Sequence, residues 1–93
     1  MTPSERTDEI RRLLEAGFSP SFLEIEDESH HHAGHAGAAG GLGHFRVHIV
    51  STAFAGLSRV ARHRRVYAAL GSLLTTDVHA LAIDARAPGE HSG

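Results

Sequence analysis

Residues 44–51 read His-Phe-Arg-Val-His-Ile-Val-Ser, with Phe45, Val47 and Ile49 alternating against His44, Arg46 and His48. A period of two places the apolar side chains on one face and the polar ones on the other, so the stretch is a strand with one buried side. Upstream, Phe22–Glu28 repeats the pattern: Leu23 and Ile25 alternate with Glu24 and Glu26. Downstream, Val78–Ala85 is an apolar, alternating third strand. Between the second and third strands, Val60, His63, Tyr67, Leu70 and Leu74 recur at steps of three and four, with Val66 and Leu73 widening the stripe. Leu57–Leu74 is therefore helical, as one helix or as two joined by a bend, after a turn containing Gly56. A helical crossover makes the third strand parallel to the second if they share a sheet, whereas the direct connection makes the first two antiparallel. Parallel strands start at the same edge. The beginning of strand two, the beginning of strand three and the segment feeding strand two are thus expected at one end of the sheet.

Thr2-Pro3-Ser4-Glu5 supplies a capping residue, a proline at the first helical position and a glutamate at the third. A helix is predicted to start there and, with Gly17 as terminator and Pro20 barring resumption, to end near Ala16. Ser29–Gly43, rich in Gly, Ala and His, is a long loop, far beyond the roughly two to five residues of a hairpin connection. Arg86 onward, with Pro88, Gly89 and Gly93, reads as a frayed tail, so the domain is placed at 1–86 and the tail at 87–93. The order helix-strand-strand-helix-helix-strand predicts a two-layer α+β domain, a three-stranded mixed sheet with helices on one face.

Composition narrows the function. The chain has 93 residues, a formal charge of −2 and no cysteine. One core is all it can build, and thiolate zinc sites, disulfides, a cysteine nucleophile and a self-contained all-thiolate iron–sulfur site are excluded. No apolar run approaches the ~20 residues of a bilayer span and no signal peptide is recognisable, so no membrane association and a cytoplasmic location are expected. Phosphate loops, HExxH and Ser-His-Asp patterns are missing, which reads as a protein that is not an enzyme. The unusual feature is nine histidines.

At Phe54-Ala55-Gly56-Leu57-Ser58, Arg62-His63-Arg64-Arg65-Val66-Tyr67 and Val78-His79-Ala80-Leu81, the chain resembles the BolA family. The likeness extends through Phe22-Leu23-Glu24, Asp27-Glu28-Ser29 and His44-Phe45-Arg46-Val47. It implies a fold similar to class II KH domains and a partnership with a monothiol glutaredoxin, forming a heterodimer that shares a [2Fe-2S] cluster in iron–sulfur trafficking or iron sensing. The implied ligands are glutaredoxin and glutathione thiolates on one side. On the other stand His79 and a loop histidine, His35, with His32 as the alternative; the absence of Cys places the chain in the family's His subgroup. The isolated chain, a monomer or weak dimer, is expected to hold no cluster.

A competing reading concerns Arg59, Arg62, Arg64 and Arg65, which concentrate positive charge on the crossover helix beside His63. They form a candidate surface for a partner or for nucleic acid, consistent with a DNA-binding regulator. Against RNA of the KH type, Gly56 is followed by Leu57-Ser58-Arg59, so the Gly-x-x-Gly clamp is missing. His63 reads as a packing or partner-facing residue, and adjacent His30–His32 as a loose divalent-metal chelator.

Overall fold

The computed structural model describes residues 2–28 and 43–90. Helix α1 (Pro3–Phe18) is followed by β1 (Phe22–Asp27), β2 (Gly43–Val50), a 3-10 turn (Thr52–Phe54), α2 (Arg59–Leu70), α3 (Leu73–Thr76) and β3 (Val78–Arg86). The sheet has the order β1-β2-β3. β1 and β2 are antiparallel, and β2 and β3 are parallel. The α+β architecture and the strand directions expected from the connections are those observed.

The N-terminal cap forms as a reciprocal box. The Glu5 amide donates to Thr2 Oγ1 at 3.1 Å, and the Thr2 amide donates to the Glu5 carboxylate at 2.8 Å, which also holds the Glu5 pKa below its ordinary value. The other end corrects the sequence reading, because α1 runs on through Gly17 to Phe18. Ser19 takes the left-handed turn (φ 43°, ψ 55°) and its amide bonds Glu15 O. The extra residues persist because Phe18 packs its ring 4.9 Å from that of Phe54, a contact supplied by a distant turn. The crossover is two helices, separated where Gly71 adopts φ 56°.

Phe45, Val47 and Ile49 face the helices and are buried together with Ile10, Leu14, Phe54, Val66, Leu70, Leu73 and Val78. Leu23, Ile25, Leu81 and Ile83 extend this core along the flanking strands. Ser51 closes the far end of β2. Its hydroxyl donates to Phe18 O at 2.7 Å and accepts from the Ala53 amide at 3.1 Å, while its own amide donates to Arg86 O at 2.9 Å. The opposite face of the sheet carries charge. His48 on the central strand meets Glu26 of β1 through Nε2 at 3.0 Å and Asp84 of β3 through Nδ1 at 3.4 Å. Arg86 pairs in turn with Asp84 at 2.7 Å and lowers its pKa.

Candidate functional site

The parallel pairing of β2 with β3 carries one irregularity, and it falls at His79. Gly43 pairs with Val78 and His44 with Ala80, so His79 is the extra residue of a β-bulge. A bulge breaks the alternation of faces and re-aims the strand locally. The strict alternation expected over Val78–Ala85 therefore does not carry through this point. Beside the bulge, the Gly43 amide donates to Asp77 O at 2.9 Å and the Glu28 amide donates to His44 O at 2.7 Å. Glu28 and Gly43 are thus both fixed at the end of the sheet where β3 begins, the convergence that a parallel crossover requires. His35 and His32, the expected loop ligands, lie outside the described residues, as do His30 and His31. The structure places His79 by its backbone.

The arginines of α2 separate into two kinds. Arg59, Arg64 and Arg65 are exposed. Arg62, grouped with them in the sequence reading, is folded inward with only 13% of its side chain exposed. Its Nε donates to Leu57 O at 3.0 Å and its Nη1 to Ala85 O at 3.0 Å. Nη1 and Nη2 also grip the Glu90 carboxylate at 2.6 and 2.9 Å. This bidentate pair, aided by the Ala87 amide, pulls the Glu90 pKa from its ordinary 4.5 to about 2 and raises that of Arg62. Residues 87–90 were expected within the tail, yet Ala87 is buried and Glu90 is tied to α2. Sequence reasoning missed Glu90 because nothing in a Pro-Gly-Glu turn reveals a partner 28 positions away.

A groove of about 840 Å³ runs between α2 and β3, with Arg59, His63 and Tyr67 on the helix side and Leu81–Arg86 on the strand side. A smaller hollow of about 290 Å³ adjoins it, formed by Tyr67, Leu74, Val78, Ala80 and Leu81. Val78 and Ala80 flank His79, so this hollow borders the bulge. His63 is half-buried in the groove wall, consistent with a packing or surface role. On the open sheet face, Glu24, Glu26 and His48 each bring one ligand atom within 4.8 Å of the others. Glu26 and His48 belong to the ion-pair network described above, and the sequence reading of Glu24 and Glu26 as the wet face of a strand agrees with their exposure. No helix among the described residues is long and apolar enough to cross a membrane.

Comparison with known proteins places these features in a family. The model for BolA-like proteins matches residues 14–90. Human BolA-like protein 1 is 51% identical over 81 residues, covering 87% of this chain and 57% of that protein, so the chain spans little more than half of its human relative. The Escherichia coli protein named DNA-binding transcriptional regulator BolA is 43% identical over 76 residues, which cover 82% of this chain and 70% of its own. Among solved structures, the BolA domain of SufE1 from Arabidopsis thaliana superposes with a TM-score of 0.80 at 42% identity, covering 98% of this chain and all of that one.

Proposed function

Since this chain belongs to the BolA-like family, we propose that it is a BolA-type adaptor that binds a monothiol glutaredoxin and shares a [2Fe-2S] cluster with it, in cluster trafficking or iron sensing. The observation that carries the reading is the bulge at His79 beside Glu28 and Gly43, between which the histidine-bearing residues lie in sequence. That juxtaposition suits a two-histidine contribution from residues far apart in sequence, His79 and His35, with His32 as the alternative. Four ligands are needed for such a cluster, and imidazole in place of thiolate is an established donor for it. Without cysteine this chain supplies the imidazoles only, and the partner with glutathione supplies the sulfur. The cluster is cargo held between two proteins, and the chain's own part is to present two neutral imidazoles and a docking surface. No chemistry of bond making on a substrate is assigned to it, and the cytoplasm is the proposed setting.

Co-expression with the cognate monothiol glutaredoxin tests the reading. A one-to-one coloured complex with a visible spectrum distinct from that of glutaredoxin alone is expected, and H79A should abolish the distinct spectrum. An unchanged spectrum in H79A refutes the ligand assignment; failure of the wild-type pair to associate refutes the function.

A second reading, direct DNA binding, is favoured by the exposure of Arg59, Arg64 and Arg65 on one helix and by the name of the Escherichia coli relative. Arg62 is excluded from that surface, since its guanidinium is committed to Leu57, Ala85 and Glu90. Replacing Arg59 and Arg65 by Ala should then weaken DNA retention and flatten its salt dependence by about two phosphate contacts. An unaltered salt slope removes this alternative.

A further inference from the structure

β3 is an edge strand: within the described sheet it pairs with β2 on one side and with no strand on the other. The direction of its backbone groups follows from two contacts. Arg86 O accepts from the Ser51 amide and so faces β2, whereas Ala85 O accepts from Arg62 and so faces outward. Along a strand these directions alternate. The N–H and C=O groups of Leu81 and Ile83 therefore point out of the sheet, into the groove beside α2. Arg62 caps the outer edge at Ala85 and leaves the stretch before it open.

The groove and the smaller hollow share Tyr67 and Leu81, so they form one channel running along this edge from the His79 bulge to Arg86. Its two ends differ in chemistry. Near the bulge the lining is apolar, with Tyr67, Leu74 and Leu81. At the other end Arg59, Arg62 and Arg86 line it; Glu90 holds Arg62 and Asp84 holds Arg86, so Arg59 is the cation there with no ion pair among the described residues, while Arg46, opposite Ala82, is paired with Glu28. A carboxylate does seat in this region, since Glu90 occupies the fork of Arg62.

Resting on the adaptor reading above, we infer that the outer edge of β3 receives an extended acidic segment of the protein partner, which adds as a fourth strand at Leu81 and Ile83. An exposed edge of this kind is a ready template for strand addition, in which main-chain bonds give affinity and side-chain pockets give selectivity. The segment would place an apolar residue in the Tyr67 hollow and carboxylates toward Arg59. A polypeptide suits this edge because its main chain offers one donor and one acceptor per residue at the spacing of the edge itself. Docking on Leu81 also brings the partner alongside His79, two residues earlier in the same strand.

The test uses the full chain and the cluster-loaded complex with its cognate glutaredoxin. Amide hydrogen exchange at Leu81 and Ile83 should be fast in the free chain and slowed at least about tenfold in the complex, as for any newly paired strand amide. Arg59→Glu should weaken the complex by about tenfold at low salt and less at high salt. Arg59 opens α2, where an acidic residue is favourable to the helix, so weakened binding in this variant does not trace to unfolding. If the complex forms with its distinct spectrum while both amides exchange unchanged, the docking edge is refuted and the cluster reading stands. If the wild-type pair does not form, both fall. Amides already slow in the free chain, or slowed by duplex DNA and not by glutaredoxin, also overturn the proposal.

Discussion

Ser51→Ala removes one oxygen from the point where three elements meet. Ser51 is 1% exposed, and its hydroxyl is the partner of both Phe18 O, at the end of α1, and the Ala53 amide, in the 3-10 turn. Ser51 is buried while Phe18 and Ala53 are half-buried, so the variant leaves an acceptor and a donor that water reaches only in part. Each unsatisfied buried group costs about 1–3 kcal/mol, and partial relaxation of the turn offsets some of the sum, which gives an expected loss of about 2–4 kcal/mol. That is a large share of the roughly 5–15 kcal/mol that stabilises an ordinary domain. Equilibrium urea unfolding followed by far-UV circular dichroism should show a lower midpoint at an unchanged slope. The melting temperature should fall by about 4–8 °C for each kcal/mol lost. Thr52→Ala, at the exposed neighbouring position, serves as the control and should change little. A loss below about 0.5 kcal/mol in Ser51→Ala, within the range of ordinary surface substitutions, would refute the assignment of Ser51 as the joint between α1, β2 and the crossover.

Gly43→Ala sets a methyl against the ring of Phe45, with Arg6 Cδ 3.2 Å away, and Phe45 is buried in the core. The expected cost is about 1–3 kcal/mol of overpacking strain, measurable by the same unfolding curve, and the first pair of the β2–β3 ladder should shift in amide chemical shift. Glu90→Gln should lower stability at neutral pH. Because the native pKa is depressed from 4.5 to about 2, the pair's contribution is complete above pH 4.5 and is lost as pH falls toward 2. The wild-type and variant stabilities should therefore converge in acid; a gap that stays constant from pH 7 to pH 2 would show that the carboxylate charge is not what Arg62 holds. Arg62→Ala, in contrast to the Arg59 and Arg65 variants, should lower thermal stability and loosen residues 87–90 to proteolysis without altering the salt slope of any DNA binding.

Much of this architecture can be read from one dimension because its causes are local. Alternation in 22–28 and 44–51 specifies strands whose faces differ in polarity, and the three-to-four spacing from Val60 to Leu74 specifies a helix. The length of the crossover then forces parallel pairing and gathers strand starts at one end of the sheet. The errors have non-local causes. Gly17 is a good local stop for α1, but Phe18 finds Phe54 across the fold and the helix continues for one more partial turn. Arg62 looks like its neighbours in sequence, and only the return of residues 87–90 to α2 converts it from a surface charge into a clamp. The motifs at Arg62–Tyr67 and Val78–Leu81 were likewise visible from the start, whereas the bulge that makes His79 the extra residue of its strand was not.

By itself, then, the chain's pattern of apolar and polar residues determined which segments become helix or strand, their order, and the end of the sheet to which the histidine-bearing segment returns. Tertiary structure alone decided which groups are free to act. Burial and pairing depend on what a distant segment brings into contact, so the open edge of β3, the inward turn of Arg62 and the irregular register at His79 exist only once β2, β3 and α2 have met.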